Sequence, residues 1–276
     1  MTRRNRHVWI IDFKNYPTKD EASLYAVPFE YLRSTVSSTI EATGERDSWW
    51  LHWRARAEMF SALAPLSRFV VTPAVSKHRV FVWQEFPLFP DHALIAFARS
   101  DDYSFGVLQA RIHEWALKLG TRLETRPRYT PTTSFETFPF PEPTLEQSEA
   151  IASAAKELDD LRSRWLNPSE WTREGVSEFP GSIDGPWARY ISNVDERGIG
   201  TVRYPRLIPK DEEATEQLKK RTLTNLYNER PTWLDLAHRN LDEAVFAAYG
   251  WESNLSDEEI LSRLLELNLA RAALQE

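Results

Sequence analysis

The sequence predicts an α+β protein with a mixed first half and a mostly helical second half. Three observations support this. Runs of β-branched and aromatic residues lie between 68 and 98, apolar residues recur at helical spacing from Phe105 onward, and acidic helical segments follow a Pro-rich stretch at 138–144. We therefore expect a mixed α/β domain over residues 1–142 and a helical domain over 143–276.

The first half predicts short elements separated by prolines. VWIIDF (8–13) is typical of a short buried strand. The segment from Lys19 to Val36 has a helical pattern that Pro28 must break or restart. The remaining predictions are a Trp-rich helix over 46–60, two β segments within 68–90 around a turn at 73–77, and a strand over 93–98.

One long helix is predicted after these strands. Its apolar residues recur at steps of three and four, and Gly120 follows at the position where a helix would end. The apolar positions are Phe105, Leu108, Ile112, Trp115 and Leu119. His113 falls on the polar side of this helix, as does His238 in a later one, so we expect both imidazoles to be solvated.

The second half predicts helices around one irregular segment. Thr144 and Gln147 have the spacing of a capping box ahead of a helix that ends near Leu166. Five prolines and five glycines in 167–209 indicate a long irregular segment with a short hairpin near 198–203. Further helices are predicted over 211–228, 233–249 and 257–274, the last beginning with a capping box at Ser256 and Glu259.

Composition limits the class of protein. The chain has no cysteine, which excludes disulfides and thiolate metal sites and is typical of a reducing compartment, so we expect a cytoplasmic protein. The apolar run at the N-terminus is too short for a signal peptide, and no stretch reaches about 18 apolar residues. We expect no membrane partner.

Charge is shared unevenly between the two halves. The net charge is −7, with 18 Lys/Arg against 16 Asp/Glu in residues 1–142 and 16 against 25 in residues 143–276. The halves are therefore +2 and −9. Five basic residues against two glutamates in 111–130 predict a local basic surface, which can bind phosphates whatever the total charge.

Catalytic signatures are not recognisable in this sequence. The close glycines of RGIGT (197–201) fit a hairpin turn better than a nucleotide loop. Asn167-Pro168-Ser169-Glu170-Trp171 lacks the second proline of an amino-methyltransferase tetrad, so a helix stop is the better interpretation. The histidines show no metal-ligand spacing, and Asp211-Glu212-Glu213 indicates a helix N-terminus. We predict no catalytic, cofactor-binding or metal site in this chain.

Two polar segments are candidates for contacts with DNA. Ser76-Lys77-His78-Arg79 places four polar residues in a turn between apolar strands, and 122–133 combines arginines with hydroxyl side chains. Such residues hold phosphates and contact base edges. An ordinary charged turn and a solvated strand remain the alternatives. Trp49, Trp50, Trp53 and Phe60 could stack on bases, but helical spacing favours core positions.

Four blocks in a fixed order resemble a known family. VTPAVSKHRVFVW (71–83), FGVLQARIHEWALKLGTRLE (105–124) and RYTPTTSFETFPFP (128–141) resemble the target-recognition region of MmeI-like DNA adenine methyltransferases. TLTNLYNERPTWLDLAHRNLDEAVFAAYGW (222–251) is similar to the helical segment that follows in those enzymes. The group includes fused restriction–modification enzymes and the large methyltransferases of phage-defence systems.

The resemblance implies a recognition role on double-stranded DNA. It implies that S-adenosylmethionine and the catalytic tetrad belong to a methyltransferase lobe or subunit that is absent from this sequence. The implied contact residues are Lys77, His78, Arg79, Arg122, Arg126, Arg128, Tyr129, Thr130, Thr132 and Thr133. The alternative is a protein-interaction subunit, or a non-catalytic remnant, that docks a partner methyltransferase.

Overall fold

Helices and short antiparallel sheets alternate in the computed structural model, which describes residues 4, 9–13, 16, 18–37, 48–52, 56–118, 122–123 and 126–274, with the backbone alone at 115–118, 122–123 and 126. The predicted α+β class is confirmed. Contacts group the chain into two units, one of residues 5–62 and the other of residues 1–4 and 63–276. The division at residue 142 stays a prediction. None of the helices in these ranges is both long and apolar enough to cross a lipid bilayer.

The smaller unit contains two short helices, α1 (Lys19–Ser23) and α2 (Ala26–Leu32), followed by a π-helical turn at 33–37. Thr18 and Glu21 form a capping box at the start of α1. The helix breaks before Pro28, which lies in the first turn of α2, where a backbone N–H has no intrahelical partner to lose.

Aromatic side chains form the core of this unit. The cluster consists of Phe13, Ala22, Phe29, Trp49 and Trp50, so the core interpretation of these two tryptophans is confirmed. The predicted strand is wrong over the described residues 9–13. The helix predicted over 46–60 is wrong over the described residues 48–52, where 49–50 form a turn, and is confirmed at 57–60, which belong to α3 (Ala57–Leu63). Trp53 lies outside the described residues.

The larger unit opens with a three-stranded antiparallel sheet. The central strand β1 (Arg68–Pro73) pairs with β2 (Val82–Glu85) on one side and β3 (Leu94–Phe97) on the other. The two β segments and the third strand are thus confirmed. Phe69, Val70 and Val71 are fully buried, which explains an uninterrupted apolar run.

Two helices follow where one was predicted. They are α4 (Asp102–Gln109) and α5 (Arg111–Lys118), and the extended backbone of Ala110 (ψ 155°) separates them. The carboxylate of Asp242 accepts from the Arg111 backbone N–H at 2.7 Å, which satisfies an N-terminal donor of α5. Because this cap comes from a residue 131 positions away, the local sequence carries no signal that a helix starts at Arg111. Leu119 and Gly120 lie outside the described residues.

Short elements connect α5 to the helical half. A two-stranded ladder joins β4 (Arg122–Leu123) to β5 (Arg126–Pro127), and one helical turn, α6 (Pro131–Ser134), follows. The long α7 (Leu145–Leu166) then begins at the predicted capping box of Thr144 and Gln147, and it ends at Asn167, which confirms the predicted helix stop.

The segment 167–209 is not irregular. It forms an 11-residue antiparallel pair of β6 (Thr172–Ser182) and β8 (Ile199–Pro209), with β7 (Ile191–Ser192) on the far side of β8. Its prolines are tolerated because β6 is an edge strand and β7 covers only two positions of β8. Gly198 (φ +76°) supports the turn interpretation of RGIGT.

Four helices complete the chain. They are α8 (Glu212–Lys220), α9 (Leu223–Glu229), α10 (Thr232–Tyr249) and α11 (Asp257–Ala273). Asp211 caps α8 by accepting from Ala214 N at 2.7 Å, and Ser256 opens α11 in a capping box, both as predicted. Helices α4, α7 and α10 pack together.

Candidate nucleic-acid interface

The two predicted polar segments lie side by side. Val75 forms an antiparallel bridge with Arg128, and the Tyr129 N–H donates to the Ala74 carbonyl at 2.7 Å. The turn at 76–79 and the segment 128–133 are therefore neighbours, although about 50 residues separate them in sequence. We call the exposed part of these two segments the 77/128 surface.

Arg79 lies beneath this surface, where it holds the two segments together. Its guanidinium donates to Thr72 Oγ1 at 3.1 Å, to the Pro73 carbonyl, and to the Pro127 carbonyl at 3.1 Å. Burial lowers its pKa to about 10, so the group stays charged at neutral pH. The sequence predicts Arg79 as part of the contact surface. Only 7% of Arg79 is exposed, so its side chain positions that surface from below.

Tyr129 is the second predicted contact that is buried. Its hydroxyl lies 3.0 Å from His113 Nε2, and its ring packs edge-on against Phe81 and Phe97. Burial raises the pKa of this phenol, and the side chain fixes the base of the surface.

His113 is fully buried, so its predicted solvation is wrong. Burial, together with the charge of Arg79, lowers its pKa to about 3. The helical pattern placed His113 on the polar side of α5, but that side is covered by the segment that contains Tyr129. His238 also has a partner within the protein, because its Nε2 lies 2.9 Å from the Tyr227 hydroxyl. Burial lowers the pKa of His238 to about 3.

The remaining predicted residues differ in exposure. Lys77, Arg128, Thr132 and Thr133 are exposed, whereas His78 and Thr130 are half-buried. The side chains of Arg122 and Arg126 lie outside the described residues. Arg111, counted in the local basic excess, forms an ion pair with Asp257 at 2.7 Å and does not add to the surface.

Asn228 is a neighbour of this surface that sequence reasoning missed. Its Oδ1 accepts from Lys77 Nζ at 2.6 Å and lies 2.9 Å from His78 Nε2. Asn228 belongs to the last turn of α9, in the helical half. A separation of 150 residues leaves no spacing signal by which the sequence could have indicated this contact.

A buried polar network fixes the helix that presents Asn228. Arg162, which is 1% exposed, donates to Gln109 Oε1 at 3.1 Å and to the Tyr227 hydroxyl at 3.2 Å. Gln109 Oε1 also accepts from the backbone N–H of Phe81, the residue before β2. The network thus joins the strand side of the surface to α9.

Comparison with known proteins gives a structural relation. No protein-family model matches the sequence, and no curated protein matches it either. The solved structure of the type IIL restriction–modification enzyme MmeI in complex with DNA aligns with a TM-score of 0.55 and 17% sequence identity, over 96% of this chain and 29% of that one. The two share a fold. This chain spans less than a third of the length of that enzyme.

Proposed function

We propose that this chain is the DNA sequence-recognition portion of a site-specific adenine methyltransferase in a restriction–modification or phage-defence system. The observation that supports it most is the fold shared, over 96% of the chain, with an enzyme solved on DNA. Methyl transfer and the S-adenosylmethionine site belong, in this proposal, to a catalytic lobe or subunit outside these 276 residues.

The 77/128 surface is the proposed contact with the duplex. Lys77 and Arg128 supply charge for phosphate oxygens, and Thr130, Thr132 and Thr133 supply hydroxyls for phosphates or base edges. The buried side chains of Arg79 and Tyr129 hold the surface in one conformation, which reduces the conformational entropy lost on binding.

Duplex binding by the full chain tests the proposal. Lys77→Ala should weaken binding to all sequences and reduce the slope of log K against log salt by about one, because one phosphate contact is lost. Lys156→Ala, which removes an exposed lysine from α7, is the control and should change neither quantity. Wild-type protein that binds no duplex from a random pool would contradict the proposal.

Sequence preference is a separate readout. Selection from a random duplex pool should return a different consensus for Thr132→Ala/Thr133→Ala or Arg128→Ala than for the wild type. An unchanged consensus for all of these variants would place base recognition elsewhere on the chain.

The proposed catalytic partner has its own test. Purification of the tagged chain from its native host should recover a methyltransferase, and the two together should transfer methyl groups to adenine in DNA. Methyl transfer by the isolated chain would contradict the assignment of the chemistry to another module.

The interaction-subunit alternative has one observation in its favour. Leu265 and Leu269 lie one turn apart on α11 and are 60% and 61% exposed. If Leu265→Glu/Leu269→Glu abolishes co-purification of a partner while the wild type binds no DNA, the alternative is the better description.

A further inference from the structure

We propose that Asn228 is part of the DNA-contact surface. It positions Lys77 and His78, and it donates its own amide hydrogens to the phosphodiester group that Lys77 contacts. The inference rests on the proposed function. It adds a residue from the helical half to a surface that sequence patterns place entirely within 71–141.

The orientation of the Asn228 amide follows from its neighbours. Lys77 Nζ has only donors to offer, so the amide atom that faces it at 2.6 Å has to be Oδ1. His78 Nε2 lies 2.9 Å from the same oxygen and therefore has to be the protonated nitrogen of its ring. One oxygen thus accepts two hydrogen bonds, one of them from an ammonium group.

This orientation turns the amide nitrogen of Asn228 away from both partners. Asn228 is exposed, and within the described part of the chain Nδ2 donates no hydrogen bond to protein. The ammonium of Lys77 keeps two further donors. The remaining donors of Lys77 and Asn228 belong to two exposed side chains that meet at Oδ1, and such donors suit the anionic oxygens of the DNA backbone.

Asn228 is held firmly enough to act in this way. The preceding residue, Tyr227, is buried, with its hydroxyl bound by Arg162 at 3.2 Å and by His238 at 2.9 Å. The Tyr227 ring also lies 5.9 Å from the His78 ring. One side of the last turn of α9 is thus anchored in the core, and the other side presents Asn228 to the turn at 76–79.

Two substitutions separate the roles of the oxygen and the nitrogen. Asn228→Asp keeps the acceptor but removes both donors, and its carboxylate neutralises Lys77 and repels phosphate. Asn228→Ala removes acceptor and donors but leaves Lys77 charged. Asn254→Asp makes the same charge change at another exposed asparagine and is the matched control.

The experiment measures binding of the full chain to a mixed-sequence duplex over a salt series. We expect Asn228→Asp to weaken binding at least tenfold and to lower the salt slope by about one, as Lys77→Ala does. Asn228→Ala should weaken binding several-fold with the slope retained. Asn254→Asp should leave the slope unchanged and alter affinity less than twofold.

The inference and the proposed function fail in different ways. If Lys77→Ala weakens binding but Asn228→Asp behaves like Asn254→Asp, the role of Asn228 is overturned and the function stands. If the wild type binds no duplex, both fall. Circular dichroism and thermal unfolding of each variant exclude loss of fold as the cause.

Discussion

Arg79 and Lys77 are two positions apart in the same turn, yet their side chains have opposite surroundings. The Arg79 guanidinium donates to three oxygens in a buried site, whereas the Lys77 ammonium is exposed and reaches Asn228. Residue type alone does not separate a buried arginine that positions the backbone from a lysine that is exposed to solvent.

Arg79→Ala should destabilise the folded chain by about 3–5 kcal/mol, because one buried and two part-buried oxygens lose their donor at once. Urea unfolding measures this change. Lys77→Ala serves as the control and should cost less than about 0.5 kcal/mol, since surface substitutions cost little. Equal losses for the two variants would contradict a structural role for Arg79.

Tyr129→Phe should cost about 1–3 kcal/mol, because it removes the hydroxyl that lies 3.0 Å from His113 Nε2 and leaves a fully buried ring nitrogen without a partner. DNA affinity per folded molecule should not change if Tyr129 acts only from below the surface. Loss of affinity at unchanged stability would instead show that the hydroxyl contacts DNA.

At the scale of elements, Gly106 sets how closely α4 approaches α7. A Cβ at this position would lie 2.7 Å from Ile151 Cγ2 and 3.1 Å from Ala155 Cβ. In a helix interior, glycine is about 1 kcal/mol worse than alanine. The close approach of Ile151 and Ala155 gives a packing reason for glycine at this position.

Gly106→Ala should therefore destabilise the protein by about 1–3 kcal/mol despite its better helix propensity, because the added methyl overpacks the contact with Ile151. The double variant Gly106→Ala/Ile151→Ala should lose less than the sum of the two single changes. Additive losses in a double-mutant cycle would contradict the proposed steric origin.

At the scale of the whole molecule, buried titratable groups link stability to pH with opposite signs. Burial lowers the pKa of His113 and His238 to about 3, so stability is full above the ordinary histidine pKa near 6.5 and is lost as pH falls. Burial raises the pKa of Asp242 to about 6, so its contribution is present at low pH and is lost as pH rises through 6.

The two histidines change the free energy of unfolding more than the one carboxyl does. This free energy should therefore fall as the pH decreases from 7.5 to 5. His238→Gln removes one titration while keeping a partner for Tyr227, and it should make the fall shallower. Asp242→Asn removes the opposing effect and should make it steeper. Denaturant unfolding across this pH range measures all three. A free energy that is independent of pH would contradict the burial of these groups.

Local patterns predicted the elements whose signals lie within a few residues. The capping boxes at Thr144 and Ser256, the cap at Asp211 and the strands β1 to β3 follow from such signals. The long β6–β8 pair within 167–209 was not predicted, because prolines are typical of loops, whereas edge strands also tolerate proline.

The α+β class, the starts of α1, α7, α8, α10 and α11, and the choice of a polar turn and an Arg- and Thr-rich segment as candidate DNA contacts could be predicted from the sequence. The exposure of each of those polar residues, and the contact of Asn228 with Lys77 and His78, follow from the folded structure. The physical reason is that burial and hydrogen bonding between residues 50 to 150 positions apart depend on packing, and periodicity along the chain does not contain that information.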